Sequence, residues 1–198
     1  SGTLDLLSFD PVASSQNTAQ ATDALKVQKA ALQVANLMQV AVDTTTAAGN
    51  SNAVNVVDSV ASSLVAAANA TASGSTLNLG SATLISGALS AAADTAFASP
   101  NSSSTKEVLK SQSQNIGEAL AQVNTSIDTI VNTALSASSA SGKLDTASAL
   151  VNIVAAQIVA QEQVSAQAQT AVAQAVISGS TSSTSINLNL DQSLGRSE

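Results

Sequence analysis

Serine is the most abundant candidate nucleophile in this chain, with 33 copies in 198 residues, yet none has the surroundings that activate one. No Gly-x-Ser-x-Gly elbow occurs, and the chain has no histidine to serve as a base. A Ser–Lys dyad would have to draw on Lys26, Lys29, Lys106, Lys110 or Lys143, all of which read as solvated helix positions. The 13 carboxylates are spread along the chain, whereas acid–base hydrolysis needs two of them held a few ångströms apart. Cysteine is absent, which removes thiolate chemistry and disulfides and, together with the missing histidine, Cys/His zinc sites. Tryptophan and tyrosine are absent too, and Phe9 and Phe97 are the only aromatic residues. The chain therefore reads as non-enzymatic, with no catalytic, cofactor-binding or metal-binding residue assigned.

Four weaker patterns remain. Asn187, Asn189 and Asp191 alternate after Ile186 as calcium ligands can, but the glycine and closing glutamate of an oxygen-ligand loop are missing, so they read as the polar face of an extended C-terminal segment. Phe9-Asp10-Pro11 offers an Asp-Pro bond of the kind some calcium-regulated toxins cleave in themselves. Its ordinary reading is an Asp N-cap, a Pro at the first helical position and Phe9 as a hydrophobic staple. Asn69-Ala70-Thr71, Asn101-Ser102-Ser103 and Asn124-Thr125-Ser126 match the glycosylation acceptor pattern, which this composition produces by chance. Thr125, Thr129 and Thr133 make a short i, i+4 row that raises ice binding without extending into a long flat face.

The elements that must position these residues are helices. Alanine, serine and threonine number 39, 33 and 18, and such a composition can mean disorder. Periodicity argues otherwise. Between Ser104 and Leu135, Leu109, Ile116, Val123 and Ile130 recur every seven residues, with Leu120, Ile127 and Ala134 four behind the last three; this is one apolar stripe on a helix. Ser104 and Glu107 are spaced as a capping box at its start. A second helix is expected from Asp145 to about Ile177, stopped by Gly179, with the stripe Leu150, Val154, Ile158, Val164, Ala168, Val172 and Val176 and glutamines outside. Thr18 to Thr46 carries Val27, Ala31, Val34, Met38 and Ala41 on one face, flanked by Leu25 and Leu32, and ends at Gly49-Asn50. Asn52 caps the next helix, in which Ala53, Val57, Val60, Leu64 and Ala68 align. Ser81 to about Ala98 presents Ile85, Ala88 or Leu89, Ala92 and Ala96 before Pro100.

Five helices follow, or six if residues 11–15 turn on their own. Ser-Gly followed by Leu and then Asp or Asn recurs at Ser1-Gly2, Ser73-Gly74 and Ser141-Gly142, about 70 residues apart, a spacing compatible with a duplicated helix pair. The expectation is an all-α bundle of five or six helices joined by Ser-Gly-x-Leu-Asp/Asn loops, with residues 1–178 as the bundle and 179–198 as an extended segment or linker. Alanine on facing stripes should let helix axes approach closely. The most apolar stretch, Ala147 to Ala160, is too short for a membrane span, so the domain reads as soluble. The six basic residues are scattered and the net charge is −7, which disfavours nucleic acid. Low charge, a Ser/Thr/Asn surface and no cysteine fit a secreted bacterial chain, and a start at Ser1 rather than Met reads as a piece of something longer.

Over Leu4-Asp5-Leu6-Leu7-Ser8-Phe9-Asp10-Pro11-Val12-Ala13, continuing through Val27-Gln28-Lys29-Ala30-Ala31-Leu32-Gln33-Val34-Ala35-Asn36-Leu37, the chain resembles the Ala-rich helical modules of very large bacterial surface and secreted proteins that also carry calcium-binding repeats of the RTX, VCBS or cadherin-like kind. The resemblance is specific over roughly the first 40 residues and compositional afterwards. It implies a non-catalytic structural or adhesive module, secreted or at the cell surface, whose partners are neighbouring domains of a longer chain and cell-surface or matrix components. It implies no cofactor here, because the calcium sites of such proteins lie in their repeats. The alternative is a helical bundle that binds a small apolar ligand or ice.

Overall fold

The computed structural model describes residues 20–72, 75–141 and 146–188. It is 82% helix, and no strand occurs among the described residues. Five helices follow one another: α1 (Ala21–Ala47), α2 (Ala53–Ala70), α3 (Ala82–Ala96), α4 (Ser103–Ser141) and α5. The last is a continuous run of an α-helical segment Thr146–Val159, a π-helical segment Ala160–Ser165 and a second α-helical segment Ala166–Ser178.

Several helix ends follow from local chemistry. The Asn52 side chain accepts from the Asn55 amide at 3.2 Å, and the Ser81 hydroxyl accepts from the Leu84 amide at 3.3 Å, each satisfying a donor that the first turn leaves free. Gly49 and Gly179 take the left-handed conformation (φ +96° and +64°) and close α1 and α5. Asn50 donates its N–H to the Thr45 carbonyl, and Ser180 donates to that of Ala175, at 2.9 and 3.0 Å, the long-range bond of a Schellman closure. The capping box expected at Ser104 is not formed. Pro100 instead opens a 3-10 turn, Pro100–Ser102, that runs directly into α4, so Ser104 already lies inside the helix.

One apolar core joins all five helices. Leu25, Leu37, Val40, Val56, Val60, Ile85, Leu120, Ile127, Ile153, Val164 and Val172 are essentially inaccessible within it, each contributing about 1.5–3 kcal/mol by leaving water. Alanine fills the close crossings: Ala88, Ala92 and Ala93 on α3 and Ala119 on α4 are all buried. At Gly117 an added Cβ would lie 3.0 Å from the Cβ and backbone nitrogen of Ser86 and 3.2 Å from the Ala82 carbonyl oxygen, so α4 meets α3 here with no room for a side chain.

Two expected faces are rotated. In α1 the buried residues are Ala21, Ala24, Leu25, Gln33, Asn36, Leu37, Val40, Ala41, Thr44 and Thr45; Leu25 and Ala41 of the expected face are among them, while Ala31 is exposed and Val27, Val34 and Met38 are half-buried. Polar side chains inside displaced the apolar stripe. The threonines satisfy themselves, Thr44 and Thr45 donating to the Val40 and Ala41 carbonyls at 2.8 Å. In α5 the first segment buries Ala149, Ile153 and Ala156 and leaves Val154 and Ile158 exposed, with Leu150 half-buried. The expected phase returns within the π turn at Val164 and continues beyond it at Ala168 and Val172. A π turn holds about one residue more than an α turn and so rotates the earlier segment by nearly a quarter turn, which keeps Gln161 on the outside. Ser165, buried at the end of this turn, donates its hydroxyl to the Asp43 carboxylate on α1.

After Gly179 the chain carries no helix or strand through residue 188 and is tied to α4 and α5 by two glutamine side chains. The fully buried Gln112 donates its amide to the Ser182 carbonyl at 2.7 Å and accepts from the Thr184 N–H at 2.9 Å. Gln167 does the same for both backbone groups of Asn187, at 2.8 and 3.1 Å. Two side-chain amides thus replace a neighbouring strand, satisfying backbone groups that would otherwise need water.

Candidate functional site

The segment connecting α2 to α3 borders a cleft. Over 75–81 it crosses α1 and α4 and is fastened by a polar relay. Gln33 on α1 donates to the Asn124 carbonyl on α4 at 2.8 Å, and the Asn124 side chain donates to the Leu79 carbonyl at 2.8 Å. Asn78 turns the segment by accepting from the Gly80 N–H at 3.0 Å. An added Cβ on Gly80 would sit 3.1 Å from the Thr125 hydroxyl, so this backbone approaches α4 tightly. Beside it, Lys29 and Asp128 form an ion pair at 2.7 Å between α1 and α4, each side chain about a quarter exposed.

A half-open cleft of about 560 Å³ lies between the segment and the two helices. Leu77, Leu79, Val131 and Leu135 give it an apolar floor, and Lys26, Lys29, Thr76, Asn78, Asp128 and Asn132 line its polar parts. Two of the four described lysines line it with one carboxylate, Asp128, and a second carboxylate, Asp23, stands beside Lys26. Lys29 is committed to Asp128. Lys26 stands 3.9 Å from Asp23, with both side chains more than half exposed, a geometry that contributes little. An apolar floor with a few convergent polar groups is the make-up of small-molecule sites.

Of the residues singled out in the sequence, Lys26 and Lys29 line this cleft and the Asn124 side chain fastens its edge. Asp10-Pro11, Asn189 and Asp191 lie outside the described residues, as do the Ser-Gly pairs at 1–2 and 73–74 and the expected cap Asp145. Asn187 is bound through its backbone by Gln167. Lys110 pairs with Asp94 at 3.3 Å on the surface. Among the described residues, no group of three His, Cys, Asp or Glu side chains converges as a metal site would require. The acceptor pattern at Asn124 is closed off, because that side chain is buried and already donating to Leu79. Thr125, Thr129 and Thr133 do share an exposed face of α4, but the row spans only about 12 Å.

Sequence reasoning overlooked Lys29, Gln33, Asn124 and Asp128 as a group. Their signal is a matched spacing: Lys29 and Gln33 stand four apart on α1, Asn124 and Asp128 four apart on α4, and antiparallel pairing joins 29 to 128 and 33 to 124.

A second surface comes from the π turn. Val151, Val154 and Ile158 are 69%, 50% and 47% exposed, at i, i+3 and i+7 along a segment without a single charged side chain. Polar Ser148 and Asn152 are exposed on the same segment. On α2, Val54 and Val65 are also exposed. This helix is long and apolar enough by length and composition to cross a membrane, a candidate that weighing the Ala147–Ala160 stretch alone passed over; here it packs through Val56, Val60 and Leu64 and exposes Asp58. Comparison of the chain with protein-family models, curated proteins and solved structures finds no match.

Proposed function

We propose that this chain is a non-catalytic structural or adhesive module of a large bacterial secreted or surface protein. It would work as a helical bundle joined by Ser-Gly-x-Leu-Asp/Asn loops, contacting neighbouring domains of a longer chain and cell-surface or matrix components. The observation that carries this reading is the outer face of α5. Val151, Val154 and Ile158 are exposed on the segment before the π turn, whose inner face is Ala149, Ile153, Ala156 and Val159, and exposed apolar stripes of this kind mark contact surfaces. The Ala-rich resemblance of the first 40 residues supports the same address, outside the cell and without a cofactor. No membrane span or nucleic-acid contact belongs to this reading.

The test is location. Antibody against the domain, applied to intact cells that make the parent chain, should label the exterior, and external protease should remove the label. Signal obtained only after permeabilisation would overturn the proposal.

A second reading, a helical bundle that binds a small ligand, is favoured by one observation, the cleft of about 560 Å³ with its leucine floor. Ice binding has less to stand on, since the threonine row is short.

A further inference from the structure

We infer that the cleft between α1, α4 and the 75–81 segment is a site for a small amphipathic monocarboxylate, an unbranched acyl chain with a free carboxylate head; this rests on the ligand-binding reading. The tail is specified by Leu77, Leu79 and Leu135, which are only half-buried and face a cleft of about 560 Å³. Filling it with methylenes removes apolar area from water, at about 0.8 kcal/mol per buried methylene.

The head is specified by how charge is already used. A cationic head would need Asp128, whose carboxylate is engaged by Lys29 at 2.7 Å. An anionic head finds Lys26 lining the same cleft, with only the loose 3.9 Å contact to Asp23 to give up. Thr76 and Asn132, also lining, add a hydroxyl and an amide N–H to the donors on the cleft wall. Aromatic platforms, which a sugar or nucleobase would stack on, do not occur among the lining residues, so a flexible chain fits these walls better than a planar ring. The Lys29–Asp128 pair and the Gln33–Asn124–Leu79 relay hold the walls in place without contributing to the head contact, so Lys26 should discriminate ligands without being needed for folding.

The experiment uses the 198-residue chain with decanoate, decanol and decyltrimethylammonium as probes, followed by titration calorimetry and by amide shifts in ¹⁵N-correlated spectra. Decanoate should bind with shifts centred on Lys29, Leu79 and Val131, roughly five- to tenfold more tightly than decanol, the gain expected of one partly exposed charge-assisted hydrogen bond. Lys26→Ala should erase that preference while leaving decanol binding and helical circular dichroism unchanged. Equal affinities for decanoate and decanol would overturn the carboxylate assignment and leave the small-ligand reading standing. Absence of binding by all three probes at millimolar concentration would overturn both. Decanoate shifts centred on Val151, Val154 and Ile158 would also overturn the site, by assigning the tail to the α5 face.

Discussion

Gly117→Ala and Gly87→Ala together test how closely α3 and α4 approach. Both replace a glycine inside a helix by the best helix former, so each gains about 1 kcal/mol from backbone propensity. They differ in what the new methyl meets. At Gly87 nothing lies within 4 Å. At Gly117 the methyl would be 3.0 Å from Ser86 Cβ and 3.2 Å from the Ala82 carbonyl oxygen, against the roughly 3.5–4.0 Å at which carbon atoms attract. The helices must then part by about half an ångström along an interface that includes Ile85, Ala88, Leu120 and Val123, or Ser86 must move with its backbone. Overpacking of this kind costs about 1–3 kcal/mol. Because the propensity gain is shared, the difference between the two variants isolates that steric cost. In a chain of this size 1 kcal/mol shifts the midpoint by about 2–4 °C, so thermal denaturation followed by circular dichroism should put Gly117→Ala roughly 6 °C below Gly87→Ala, with Gly87→Ala above the parent. Equal midpoints for the two variants would refute the close crossing, and with it the view that small residues set the helix spacing.

Two further outcomes follow from buried polar groups and a third from the π turn. Gln112→Ala leaves the Ser182 carbonyl and Thr184 N–H without their partner; the loss should be about 2–3 kcal/mol in urea unfolding, with hydrogen exchange accelerating first over 180–188. Asn36 is buried with neither side-chain amide atom partnered, so Asn36→Leu should raise stability by about 1–3 kcal/mol in the same assay. Deleting one residue from Ala160–Ser165 should convert the π turn to an α turn and rotate the Thr146–Val159 segment; amide shifts should then move along that segment while α2 and α3 keep theirs.

The helices were legible because their ends are written in local chemistry: Asn52, Ser81, Gly49 and Gly179 act within a few residues of themselves, and the Leu109-to-Ile130 heptads fall on a helix that buries most of them. The inner faces of α1 and α5 were less so. Reading polar residues as outward-facing works while water is their best partner; Gln33 is buried because a carbonyl of α4 is available to it, a fact of tertiary structure. In α5 the expected stripe jumps six residues from Ile158 to Val164, where helical stripes advance by three or four; the expectation of one uninterrupted helix passes over this, and the buried face leading into the π turn runs instead through Ala149, Ile153, Ala156 and Ala160. The cleft depends on a segment and two helices distant in sequence, so nothing local could announce it. Asn124 carried the only visible motif there, an acceptor pattern that its burial makes inaccessible.

The claim that most needs measurement is that the uncharged outer face of α5 makes the contacts of this module. Beads bearing the domain should be retained under flow on the surface of the cells that make the parent chain, and Val151→Ser/Val154→Ser/Ile158→Ser should cut retention about tenfold or more, as the loss of three central apolar contacts would, while Lys26→Ala has no effect. Retention of the triple variant equal to that of the parent domain, with its circular dichroism unchanged, would contradict the account.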